Sequence, residues 1–598
     1  MSKKILAVLL AVLMLVYLMT ACSGGSTSGD DSDKEAVDPT TATVDLEEHR
    51  DITIAIGQNT FITDYENNTL TQLLEEEFNC DITMEILPAG DDGLTKLQLM
   101  INGGDTRPDV FSYGLTTAYM YEYGSAGTFV DLAGYYENGN VMPYFNAIES
   151  EEDKLNMLAS ATSADGGVYC LTMFQPETWN LTPYRTYINT KWLENLDLDT
   201  PETTDEMYDV LKAFANEDPN GNGIKDEIAV FTNYVDGGNY GSNCILAMIN
   251  YFTYVPTTMS SLTVSEDGKT VIAPQISDGW KEALKWMNDL YEAGAITDSS
   301  FIYGTDTTGF KANLNYQGIG TEEAPEGKSI NIVGFFSCGS NSGNFQGSGQ
   351  DLNVNFLEYR MIAPMDSDIH EGTSPYGAYN ADRYWFVTED ASDVPFCVLL
   401  GDYFYDQEMS VTVRFGQQEV DWTNDPTYCA DWYAQHTKLI EDAGYEQTKL
   451  DYDAWVVKSQ NIWSDNTNHF WHNQQPRYMD LDTFSYHWGT WTDPETFQYY
   501  YGNTLGDTSL AYFSEAHPKY YLPMLTYTDD EQSKITEFQV AFPDEVLEWT
   551  MKFITGELKV DADWDSYVKN LNDLGLQTYL DCAQAAYQRT VYYSANFG

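Results

Sequence analysis

Asp51-Ile52-Thr53-Ile54-Ala55-Ile56-Gly57 alternates apolar and polar residues before it runs fully apolar, the pattern of a strand about to enter a covered sheet. Leu70, Leu73, Leu74 and Phe78 follow at helical spacing and predict a helix over 70–78. Cys80-Asp81-Ile82-Thr83-Met84-Glu85-Ile86-Leu87 reads as a second strand, 94–101 as a second helix, and Pro108-Asp109-Val110-Phe111 as the start of a third strand. The β-α-β-α-β order predicts an α/β domain with a largely parallel sheet. Ligands in such sheets sit beyond the carboxyl ends of the strands. Gln58, Asn59 and Tyr113 fall there and are candidate binding residues.

Outward from this unit, further helices are expected over 204–216, 279–294, 395–405 and 429–444, and the tail reads as helical over 566–574 and 576–592. At the other end, Lys3 and Lys4 precede an apolar run over 5–19 that is too short to favour a spanning helix of about 20 residues. A basic start, an apolar stretch and small residues describe a secretory signal. Leu18-Met19-Thr20-Ala21-Cys22 resembles the bacterial lipobox, with Met19 standing where Leu is usual. The resemblance implies a signal peptide over 1–21 and lipidation of Cys22. Residues 23–43 hold Ser, Gly, Asp and Thr with few apolar side chains, so 22–48 is expected to be a flexible lipidated tether.

The 598-residue chain carries 93 acidic against 29 basic side chains, a net charge of -64. Such a surface repels nucleic acid and anionic ligands unless a basic cluster intervenes, and no long one is visible. Seven cysteines beyond Cys22 are widely spaced with no Cys-x-x-Cys pair, which argues against zinc or redox chemistry and for buried thiols.

Several stretches, in order over nearly the whole chain, resemble the large lipoprotein branch of the extracellular solute-binding proteins (family 1, sugar-importer type). They are Thr106-Arg107-Pro108-Asp109-Val110-Phe111 with Gly127-Thr128-Phe129-Val130-Asp131-Leu132; Gly166-Gly167-Val168-Tyr169 with Tyr187-Ile188-Asn189-Thr190-Lys191-Trp192-Leu193; Leu211-Lys212-Ala213-Phe214; Leu290-Tyr291-Glu292-Ala293-Gly294; Tyr403-Phe404-Tyr405-Asp406-Gln407-Glu408; and Asp563-Trp564-Asp565-Ser566-Tyr567-Val568. The resemblance implies a two-lobed periplasmic-binding-protein-like α/β fold over 49–598, with a hinge of more than one crossover, a ligand cleft and a helical C-terminal segment. Lobe 1 is expected over about 49–170 plus part of 300–390, and lobe 2 over about 180–300 plus part of 390–598. It further implies no catalytic residues, an oligosaccharide ligand, ABC permease subunits as partners, a monomer, and anchorage at the outer face of the cytoplasmic membrane.

Asp218-x-Asn220-x-Asn222-x-Ile224-x-Asp226-Glu227 alternates oxygen-bearing side chains as a calcium loop does, with Ile224 offering its carbonyl. Ala229 stands where an EF-hand needs a bidentate Glu, so the loop is EF-like. A structural calcium ion is expected; the plain alternative is an Asn/Gly turn. The 44 tyrosines and 14 tryptophans suit a sugar cleft, where ring CH faces stack on aromatic planes and hydroxyls meet amides and carboxylates. Candidates are Trp179, Asn180 and Arg185; Tyr376, Tyr379 and Trp385; and Trp471, His472, Asn473 and Trp488. Any one of these aromatics suits a core equally well. The leading expectation is capture of a neutral oligosaccharide. A peptide or other polar solute is the alternative ligand, and a secreted glycoside hydrolase or lyase, or a glycan adhesin, is the alternative class. No Gly-x-Ser-x-Gly elbow, His-Glu-x-x-His or Walker loop supports an enzyme.

Overall fold

The computed structural model describes residues 37–103, 107–175, 184–231, 243–298, 331–338, 358–374, 381–431, 434, 456–458, 470–479, 516 and 518–598. Trp179, Asn180, Tyr376, Tyr379, Trp488, Cys22, the signal segment and most of the tether lie outside them.

The quoted strand is β1 (Arg50–Gly57), the centre of its sheet. It pairs in parallel with β2 (Cys80–Leu87) from Arg50↔Cys80 to Gly57↔Leu87, and with β3 (Val110–Ser112). Neighbours on both sides and helices on the faces explain why Ile54, Ala55 and Ile56 are all wholly buried. β2 lies at the edge and keeps its alternation, with Asp81, Thr83 and Glu85 exposed. The helix Thr69–Phe78 starts where the Asn68 side chain accepts from the Leu70 N–H, and ends at left-handed Asn79, which returns the chain directly into β2. Asp109 explains the Pro-Asp-Val step: its buried carboxylate accepts from Thr53 N at 2.8 Å and Ser392 N at 2.6 Å, tying β1 to the far segment that completes this lobe. Asp131 likewise accepts from Val168 N at 3.1 Å, joining the 127–132 and 166–169 motifs.

Chain order then passes through β4 (Leu171–Phe174) into a second lobe. Its mixed sheet has the order β10-β5-β9-β6, with β5 (Arg185–Asn189), β6 (Ile228–Phe231), β9 (Val333–Cys338) and β10 (Tyr359–Ile362); β7 (Thr263–Val264) and β8 (Val271–Ile272) form a separate hairpin. Helices Thr204–Asn216, Asp278–Glu292 and Asp529–Ile554 supply the buried residues around it, the first opened by a Thr203–Glu206 capping box. The chain returns to the first lobe through β11 (Asp382–Tyr384) and β12 (Phe386–Val387), the latter antiparallel to β3. A two-stranded piece, β13 (Trp422–Thr423) with β14 (Val456–Val457), precedes β15 (Arg477–Tyr478).

Two hydrophobic cores result. One gathers residues from Ala42 to Phe174, Ala381 to Val413, and Phe470 with Trp471; the other gathers Tyr184 to Met365 and Phe538 to Tyr592. The described chain therefore changes lobe three times. Between the lobes lies a three-stranded sheet, β11-β4-β15, with one strand from each crossover. The expected boundaries need correction. Lobe 1 does not stop near 390: Phe396, Leu400, Phe404 and Trp471 pack into its core, while Val333 to Met365 belong to lobe 2. The 26-residue helix Asp529–Ile554 has no counterpart among the sequence expectations, because Pro543 and acids on several faces obscure its periodicity. Six described cysteines are free and buried. No helix among the described residues is long and apolar enough to cross a membrane.

Wholly buried Asp402 accepts from Tyr144 N at 2.8 Å and Phe145 N at 3.0 Å at the start of the short helix Pro143–Ala147. Burial, opposed by these two hydrogen bonds, pushes its carboxyl up to about 7. A raised carboxyl binds its proton more tightly in the folded state, so this group's contribution to stability falls as pH rises from the unfolded value near 4 to about 7. Urea denaturation across that range should show a steeper loss for the wild type than for Asp402→Asn. Asp402→Ala should cost about 1–3 kcal/mol by orphaning two N–H groups.

Candidate functional site

The carboxyl ends of β1 and β3 open beside the hinge sheet, and the segment 470–478 folds over them. Gly57 closes β1 where a Cβ atom would come within 2.5 Å of Gln474 Oε1 and 3.4 Å of the Tyr113 ring, so a side chain here would displace the Gln474 amide. The Tyr65 hydroxyl donates to Gly57 O and accepts from Asn59 N, both at 2.8 Å. Asn59 Oδ1 in turn accepts from Phe61 N at 2.9 Å, an Asx turn that fixes Phe61. Gln58 remains exposed at the strand end.

Four contacts pin the overlying segment. Asn68 Nδ2 donates to Phe470 O at 3.2 Å, and the Trp471 indole N–H donates to Thr71 Oγ1 at 3.0 Å. Ser112 Oγ donates to Gln474 O, and Arg477 Nη1 donates to Asn473 Oδ1 at 2.8 Å. Arg477 also reaches Gln175 Oε1 and Met173 Sδ at the first crossover. Between the pins, His472 and Asn473 both adopt the left-handed conformation, at φ 55° and 64°. Two successive non-glycine residues there store strain that the pins offset, a common feature of binding loops. The geometry presents His472 flat against Phe61, with ring centroids 4.4 Å apart and planes 10° from parallel.

The structure thus gathers Gln58, Asn59, Tyr113, His472 and Asn473 at one mouth. It adds Phe61 and Arg477, which the sequence did not single out, together with two members of the aromatic and amide clusters, Gln474 and Tyr384, whose ring lies against Gly114. Burial, then the charge of Asp382, raises the Tyr384 phenol to about 12 while Arg477 pulls the other way; burial also raises Tyr113. Both phenols stay protonated at neutral pH and serve as neutral donors and acceptors.

Two expected ligand residues belong to the core instead. Trp385 and Trp471 are wholly buried and stack on each other at 6.5 Å, and the Trp385 indole N–H donates to Cys397 O at 2.8 Å. With both indole donors satisfied inside lobe 1, these rings hold the loop from beneath. Arg185 is wholly buried at the start of β5, in the second lobe.

The EF-like loop lies after the helix Thr204–Asn216, away from this mouth. Gly221 and Gly223 turn it through positive φ, and Asp218 Oδ2 accepts from Gly223 N. Asn220 and Asn222 direct their amide N–H groups onto Asp226, 3.1–3.3 Å away. Both Glu227 carboxylate oxygens are buried without a hydrogen-bond partner, and burial raises this carboxyl, followed by Asp226 and Asp218. A buried carboxylate beside two others suits a cation, and turning the Asn amides would bring oxygens inward. The donor set fits a hard cation.

No family model matches the chain. The fructooligosaccharide ABC transporter substrate-binding protein FusA of Streptococcus pneumoniae is 28% identical over 211 residues, which are 34% of this chain and 37% of that protein. Lipoprotein LipO of Bacillus subtilis is 38% identical over 101 residues, 17% of this chain and 18% of that protein. The matched stretches therefore span well under two thirds of these curated relatives. Solved structures align over much more of the chain. The HMO-binding, ABC-transporter-associated solute-binding protein of Bifidobacterium longum infantis superposes over 91% of this chain and 99% of its own, at 18% identity and a TM-score of 0.68. FusA in complex with kestose superposes over 91% and 100%, at 19% identity and 0.62. The chain has the fold of an extracellular solute-binding protein.

Because Trp471 supports the loop from within the core, Trp471→Ala should lower stability by about 3–5 kcal/mol in chemical denaturation. Phe61→Ala, at the partly exposed rim, should change stability by less than about 1 kcal/mol.

Proposed function

We propose that the protein is a lipid-anchored extracellular receptor that captures a neutral oligosaccharide and presents it to an ABC permease. One observation carries the reading: the Phe61–His472 aromatic plate stands beside Gln58, Asn59 and Tyr113 at the strand ends of lobe 1, next to the hinge. Aromatic planes offer stacking to sugar CH faces, and amides and phenols offer hydrogen bonds to hydroxyls. The names of relatives support a carbohydrate cargo without deciding its charge: FusA is named for fructooligosaccharides, and YtcQ of Bacillus subtilis, 37% identical over 75 residues, for polygalacturonan/rhamnogalacturonan, which is anionic. The net charge of -64 favours a neutral oligomer over an anionic one. LipO is a lipoprotein, which supports acylation of Cys22 and placement at the outer face of the cytoplasmic membrane.

Binding without chemistry is the accompanying reading: FusA and YtcQ are named as binding proteins, and the protein is expected to act as a monomer. The EF-like loop is read as a structural calcium site held by Asp218, Asn220, Asn222, the Ile224 carbonyl, Asp226 and Glu227. Calcium there would neutralise three carboxylates and fix the turn between helix Thr204–Asn216 and β6. One solved FusA structure is of an EF-hand mutant, so that relative carries such a motif.

Calorimetry against fructooligosaccharides, milk oligosaccharides and oligogalacturonates, with product analysis, tests the receptor reading. Micromolar binding of a neutral member without turnover is expected. Turnover of any member, or no binding to all of them, contradicts it. Phe61→Ala should weaken the binding about tenfold. Removing calcium with a chelator should lower the melting temperature of the wild type and leave Glu227→Gln nearly unmoved; an unshifted wild type contradicts the calcium site.

A further inference from the structure

The hinge sheet carries polar groups that its own packing does not use. Strand register places Asp382 of β11, Met173 of β4 and Arg477 of β15 in one row, since Met173 pairs with both neighbours. Residues paired in register share a face, so the carboxylate and the guanidinium flank Met173 on the same side, their Cα atoms about 10 Å apart across two strand spacings. Arg477 rests on Met173 Sδ at 3.1 Å, which fixes that face. Tyr384, two residues along β11 from Asp382, lies on the same face with its ring against Gly114, so the face looks toward the mouth formed at β3.

Two groups in this neighbourhood lack hydrogen-bond partners. The Asp382 carboxylate accepts no hydrogen bond among the described residues, and the nearest favourable charges acting on it are those of Arg383 and Arg477. Gln475 is wholly buried, and neither its amide oxygen nor its amide nitrogen has a hydrogen-bond partner. It lies between Gln474, whose side chain abuts Gly57, and Arg477, whose guanidinium is bound to Asn473 and Gln175. Leaving both ends of a buried amide unpaired is unfavourable, and a ligand supplying a donor and an acceptor together would recover that loss. Adjacent hydroxyls on a sugar ring are such a pair. A carboxylate accepts from hydroxyls and repels a second carboxylate.

We propose that Asp382 and Gln475, on opposite sides of the central strand of the hinge sheet, form a hydroxyl-recognising subsite for a neutral sugar ring, and that Asp382 excludes uronate rings. The inference rests on the receptor reading above and assigns specificity within the same mouth. Gln475 is covered in the conformation described, so ligand reaches it as the hinge opens and is enclosed with it on closure.

A glycan array of neutral fructo- and milk oligosaccharides and of oligogalacturonates, probed with wild type, Asp382→Asn, Gln475→Leu and Tyr478→Phe, tests the subsite. Tyr478 lies on the same sheet but its ring stacks on Phe174 on the other face. Expected are a loss of about tenfold in neutral-glycan affinity for Asp382→Asn, with a narrowed neutral-to-uronate ratio. Gln475→Leu should lose similar affinity with an unchanged or raised melting temperature, since it removes an unpaired amide. Tyr478→Phe should bind as wild type. Variants that bind as wild type, or an equal loss in Tyr478→Phe, would each overturn the subsite while leaving the receptor reading intact; a wild type selective for uronates would overturn the subsite and, with it, the neutral cargo of that reading. A wild type that binds no glycan overturns both. If Gln475→Leu fails to fold, the specificity ratio of Asp382→Asn decides.

Discussion

The backbone ladder of β4 holds three passes of the chain together. Met173 pairs with Asp382 on one side and Arg477 on the other, so the two strands that flank it come from separate crossings between the lobes. With strands this short, the sheet orders the crossover ends without burying a large interface. Each lobe keeps its own core, and the lobes meet at this sheet and where the helix Val591–Phe597 packs on the helix Glu151–Ala161; short crossover strands of this kind can absorb a closing motion in a few backbone angles. The proposed binding mouth adjoins that sheet because β1 and β3 end beside it.

The segment 470–478 gains its shape from the same place. Lobe 1 grips it through Trp471, Asn68 and Ser112, and Arg477 connects it to Gln175 at the beginning of the first crossover. Its two left-handed residues are costly in isolation, and the surrounding hydrogen bonds keep them. The outcome is a stacked Phe61–His472 plate held beside the hinge; preorganisation of this kind would limit the rotamer entropy lost by the proposed binding.

How far the sequence revealed this differs between elements. β1, β2 and the helix between them were legible because periodicity and sheet position agree over them. The positions of Gln58, Asn59 and Tyr113 followed from the rule that parallel strands offer their carboxyl ends. Trp385 and Trp471 misled because sequence registers a polar neighbourhood but not which way an indole points; here their N–H groups meet Cys397 and Thr71 inside the core. Arg477 and Asp382 were illegible because their meaning depends on a register across three distant strands. Phe61 lies two residues beyond the Asn59 candidate, and the Asx turn that aims it was the available signal. The helix Asp529–Ile554 escaped through Pro543, which its long packed face tolerates.

If an oligosaccharide binds at one mouth beside the hinge sheet and is enclosed by both lobes, hydrogen exchange with mass spectrometry, with and without a bound neutral oligosaccharide, reads this directly. Slowed exchange is expected at residues 57–61, 112–115 and 470–478, at the ends of β4 and β11, and at the start of β5 in the second lobe. Protection confined to one lobe, or to the outer helices away from β1 and β3, would contradict it.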